Sequence, residues 1–113
     1  MTPAEIRDQI LRQLRAARNE MTLPERVLAL EDADAATKKQ AAQDLLNTHH
    51  KIQELENAEL AEIRDKLVQN EKELASAGAK LESTLDGVKT LKAYLTALAK
   101  FLEIVARVAP LLI

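Results

Sequence analysis

From residue 60 onward the apolar residues of this chain step by alternating threes and fours: Leu60, Ile63, Leu67, Leu74, Ala77, Leu81, Val88, Leu91, Leu95, Leu98, Leu102, Val105 and Ala109. Only Asn70 and Thr84 occupy the rhythm as polar residues. Steps averaging 3.5 residues keep one face of an α-helix against a neighbour, whereas a half-buried strand would alternate every second residue. Tyr94 and Phe101 are the only aromatic residues, so the core must be built from aliphatic side chains. With no β-branched or aromatic cluster between turn signals, the fold class is all-α. The length of 113 residues suits a single helical domain over 1–113.

Helix boundaries are marked locally. Thr2, Pro3 and Glu5 form a capping box with proline at the first helical position, and Ile6, Ile10, Leu14 and Ala17 follow at helical spacing. This predicts a helix over about 3–20. Thr22, Pro24 and Glu25 repeat the signal for a short helix over about 23–32, and Asp34 is the expected cap of the next. No proline or glycine interrupts residues 35–77, so one long helix is expected there. At 1.5 Å per residue it would reach about 65 Å. Ala42, Leu45, His49 and Ile52 share the seam's rhythm, and the eight residues from Ile52 to Leu60 read as a slip in phase, bridged by Leu55.

The seam crosses Gly78 and Gly87 without losing phase. Either the chain turns between Ser76 and Gly87, or the glycines sit inside one continuous rod at about 1 kcal/mol each. Charge favours the turn. Residues 31–86 carry seven basic and thirteen acidic side chains, whereas residues 87–113 carry four basic and one acidic, so the two segments attract. The expected architecture is an elongated antiparallel coiled-coil hairpin, its last helix over 80–109, with two shorter N-terminal helices added.

The last segment, "VKTLKAYLTALAKFLEIVARVAPLLI", constrains function most. Lys89, Lys92, Thr96, Lys100, Glu103 and Arg107 fall on one narrow stripe, and the rest of the circumference is apolar or small. Such a helix needs at least two packing neighbours. A solitary transmembrane span is disfavoured, because a Lys or Arg near the bilayer centre costs about 2.5–3.5 kcal/mol. The small residues Ala93, Ala97, Ala99 and Ala106 permit close contacts with another helix.

Chemistry is sparsely represented. There is no cysteine, hence no disulfide and no thiolate metal site. His50 and Glu54 share a helix face, but a metal centre needs three or four converging ligands; His49 falls on the seam and reads as a core or interface histidine. No phosphate-binding glycine loop or nucleophile–base arrangement is present. Neither a catalytic, a cofactor nor a metal site is therefore expected. Nucleic acid is not the expected partner, because the arginines of the first helix are offset by nearby acids and no aromatic is interleaved for stacking. Asn70 is expected either to fix the register of the seam or to reach water at its edge.

Two functions remain. The first is a non-enzymatic interaction protein that self-associates or binds a helical partner through the seam Leu60, Ile63, Leu67, Asn70, Leu74, Leu81, Val88, Leu91, Leu95, Leu98, Leu102 and Val105. The second is a membrane-active protein whose C-terminal helix lies on or enters an anionic bilayer, alone or as an oligomeric pore, guided by Lys89, Lys92, Lys100 and Arg107. A charged N-terminus without a signal-like apolar run leads to a cytoplasmic expectation, with a membrane surface as the alternative setting.

Overall fold

In a computed structural model that describes residues 1–85 and 90–108, the chain forms six helices and, among those residues, no strand. Helix α1 (Pro3–Met21) opens as its sequence directs: the Thr2 hydroxyl accepts from the Glu5 N–H at 3.2 Å, and the Glu5 carboxylate accepts from the Thr2 N–H at 2.9 Å. Those hydrogen bonds hold the Glu5 carboxyl below its ordinary value. Helix α2 (Pro24–Glu31) starts differently from expectation. Its N-cap is Leu23, which has no capping side chain, and the Thr22 hydroxyl instead donates back to the Asn19 carbonyl at 2.8 Å, closing α1. Asp34 caps α3 (Ala35–Asn57) through the Thr37 N–H at 2.7 Å, and this bond lowers its carboxyl pKa.

The single helix expected over 35–77 is three helices. After α3 come α4 (Leu60–Gln69) and α5 (Glu71–Leu85). Ala58 and Glu59 have extended backbones (ψ 137° and 131°), so the slip in phase between Ile52 and Leu60 marks a helix end, without proline or glycine. Asn70 is the half-buried C-cap of α4, and its side-chain amide donates to the Lys66 carbonyl at 2.8 Å.

Gly78 lies inside α5 and does not break it. A Cβ there would stand 2.5 Å from the Gln13 amide nitrogen, so the missing side chain lets Gln13 of α1 lie on α5 and donate to Glu82 at 2.9 Å. The next described helix, α6, spans Leu91–Val108, and Gly87, Val88 and Lys89 lie outside the described residues. Arg107 near the end of α6 pairs with Glu73 near the start of α5 at 2.7 Å, so these helices run antiparallel. Met1 to Glu71 (3.7 Å) and Gln13 to Glu82 show that α1 runs parallel to α5.

The expected elongation is absent. The molecule measures 44 × 31 × 18 Å with a radius of gyration of 14.1 Å. A folded chain of this length has a radius near about 13 Å. Breaks at 58–59 and 70 let α3, α4 and α5 fold around α6 instead of extending as a rod.

Candidate interaction site

Helix α6 is the most apolar of the described helices, and its setting answers what covers it. Tyr94, Leu95, Leu98, Phe101, Leu102, Ile104, Val105 and Val108 are all buried. These residues occupy most of the helix circumference, so burial requires several neighbours; α5, α3, α4 and α2 supply them. Among the described residues, no helix is long and apolar enough to cross a membrane.

The seam residues are brought together inside one chain. Ile63 and Leu67 of α4, Leu74 and Leu81 of α5, and Leu95, Leu98, Leu102 and Val105 of α6 belong to a single core, while Leu60 and Leu91 are half-buried at its edge. Asn70 is at the α4 cap, and Val88 lies outside the described residues. The basic stripe faces outward: Lys92, Lys100 and Arg107 are exposed, with Lys89 outside the described residues. Arg107 is held by Glu73, whereas Lys100 lies 3.9 Å from Glu103 on its own helix. Lys92 contributes to the lowered pKa of Asp34, so acidic and basic segments meet at this end as their composition implied.

Sequence reasoning missed the polar chemistry buried around the first turns of α6. The Tyr94 phenol, 0% exposed, donates to the Ala17 carbonyl at 2.9 Å. The Arg26 guanidinium lies 5.0 Å from the Tyr94 ring centroid and bonds Glu20 at 3.0 Å and the Thr84 carbonyl at 3.4 Å. Burial pushes the Tyr94 phenol far above its ordinary range; the nearby carboxylates of Glu20 and Asp44 reinforce the shift, and Arg26 opposes it. The signal available in the sequence was weak: one tyrosine on an aliphatic helix, which must find a partner for its hydroxyl.

Helix α3 departs furthest from expectation. His49, placed on the seam by phase, is exposed, as is His50, while Glu54 bonds Lys51 at 3.1 Å. The inward face instead carries Ala41, Asp44, Thr48, Lys51, Ile52 and Leu55. Asp44 is 5% exposed; one carboxylate oxygen accepts from Gln40 at 2.8 Å, and Oδ2 is buried without a hydrogen-bond partner. Burial raises its pKa, with the Gln40 bond opposing. The Thr48 hydroxyl donates to the Asp44 carbonyl at 2.7 Å, and Lys51 is 3% exposed. The period of the buried face was legible, but its phase was not, because three of its members are polar.

A cavity of about 50 Å³ lies between α1 and α5, lined by Met1, Ile6, Ile10, Gln13, Leu74 and others, far below the roughly 300 Å³ of ordinary ligand pockets. No group of three or more His, Asp or Glu side chains among the described residues is placed to hold a metal. No family model matches the chain, and neither a curated protein nor a solved structure is significantly similar to it.

Proposed function

We propose that this chain is a non-enzymatic helical interaction protein that stores its binding helix, α6, in the centre of a closed bundle and uses it to self-associate. The observation that carries the reading is the mismatch between α6 and one part of its cover: a helix apolar on almost every side is overlaid by α3, whose inward face includes Asp44, Thr48 and Lys51. A second copy offers the same α4–α5 surface to an uncovered α6, so exchange of this element requires no new complementarity. The long seam of α4, α5 and α6 then serves contacts within a chain or between chains.

The outward stripe of Lys92 and Lys100 supports a second reading, in which an uncovered α6 meets an anionic membrane surface. Sedimentation over a wide range of protein concentration, with and without anionic phospholipid vesicles, separates the two. A mass that rises above that of the monomer with concentration, without vesicles, supports self-association. A monomer at every concentration that releases dye from the vesicles refutes it in favour of the membrane; the double variant Lys92→Glu, Lys100→Glu would then abolish release while remaining helical. A monomer inert to vesicles refutes both.

A further inference from the structure

We infer that α3 is a hinged cover whose closure over α6 is controlled by the protonation of Asp44. Use of the opening for binding rests on the reading above, but the opening itself rests on the geometry of α3.

Three features set α3 apart. It is the longest of the described helices, at 23 residues, yet its fully buried apolar residues are only Ala41, Ile52 and Leu55, with Leu45 partly buried against the core. By comparison α1, with 19 residues, buries Ile6, Ile10, Leu11, Leu14, Ala17 and Met21. Burial of apolar area is the main favourable term in helix docking, so α3 is held less strongly for its length than α1. Second, it is bounded by non-helical joints, at 32–34 on one side and at the extended Ala58–Glu59 on the other. Changes of backbone dihedral at a few element-terminal residues are how covers of this kind move. Third, the inward face carries Asp44 with a buried oxygen that finds no donor. An ionised carboxylate in that position loses hydration without full replacement, and a protonated one loses far less.

Tyr94 of α6 interacts with Asp44, and its phenol is committed to Ala17; Glu20 of α1 and Arg26 of α2, bonded to each other, lie against Tyr94; on α3 itself Gln40 donates to Asp44, and Lys51 bonds Glu54. Burial is accordingly the leading influence on the Asp44 carboxyl, and its pKa in the closed state is raised above 3.8. In the opened state Asp44 returns to the ordinary carboxylate value. The closed state therefore holds more protons between those two values, and closure is weakened as pH rises through that window. Acid tightens the cover, and neutral pH loosens it.

The test is hydrogen exchange of the full chain, read helix by helix and corrected for intrinsic exchange rates, at a series of pH values from about pH 4 to pH 8. The opening constant of α3 amides is expected to rise with pH by up to about tenfold per unit before levelling, while α1 and α5 amides do not follow. In Asp44→Asn the α3 profile becomes flat. A flat profile in the wild type, parallel loss of protection in every helix, or a slope that survives in Asp44→Asn overturns the inference. Should the variant fail to fold, the contrast between α3 and the other helices of the wild type decides alone. The sedimentation experiment reports separately: α3 opening with no change of mass leaves the hinged cover standing and removes self-association.

Discussion

Replacing Tyr94 by Phe isolates one buried hydroxyl and gives an effect that changes sign with pH. The ring is fully buried and its hydroxyl donates to the Ala17 carbonyl at 2.9 Å. Phe keeps the ring and its contact with Arg26, and the Ala17 carbonyl keeps its own bond within α1. The loss at neutral pH is that of one intramolecular hydrogen bond, about 1 kcal/mol. For a domain of this size that lowers the midpoint of thermal unfolding by about 4 °C. The phenol must stay neutral in the fold, because burial and the carboxylates of Glu20 and Asp44 raise its pKa well above the ordinary 10.0. Above that value the unfolded chain releases the proton and the native chain keeps it, so the wild type loses about 1.4 kcal/mol of stability per pH unit from this group. The Phe variant loses nothing by this route. The two stability curves should therefore cross near about pH 10.7, where the accumulated linkage equals the hydrogen bond. Urea unfolding of both proteins at matched concentration, repeated from neutral pH to beyond the crossing, reads this directly. Tyr94 is the only tyrosine, so ultraviolet absorbance also reports its ionisation alone. A difference that stays constant across the range would refute the assignment of the phenol to a buried, neutral donor.

Further outcomes follow from packing. Leu98→Ala, at a fully buried site enclosed by several helices, is expected to cost about 3–4 kcal/mol in urea unfolding, whereas Leu28→Ala at 60% exposure should change stability by less than about 0.5 kcal/mol. Similar values for the two would place α6 outside the core. Gly78→Ala alone should give at most a small gain in thermal stability, because the Gln13 amide must move. In a Gln13→Ala background the same change should stabilise by about 0.8–1 kcal/mol, the helix propensity of alanine over glycine. Equal effects in the two backgrounds would show that Gln13 does not restrain the site.

Local chemistry explains what the sequence determined. The Thr2–Glu5 capping box and the Asp34 cap form as read, because a cap needs only residues within one turn of itself. The all-α class follows equally, since a seam of 3.5-residue period has no use for strands. The buried positions of α5 and α6 that are described keep the phase read from the sequence, because there the buried residues are mostly aliphatic.

Tertiary structure decided the rest. The ends of α3 and α4 carry no proline or glycine; what selects them is that a chain folded back on α6 buries more apolar surface than a rod in water. Which face of α3 turns inward was settled by its fit against α1 and α6, so Asp44, Thr48 and Lys51 are buried while His49 is exposed. The same packing made Tyr94 a donor to a carbonyl 77 residues away, a partnership that no spacing within the sequence announces. That α6 needs cover on several sides follows from its own residues, whereas the partly polar face with which α3 covers it follows from packing, because burial is a property of neighbours and not of the residue buried.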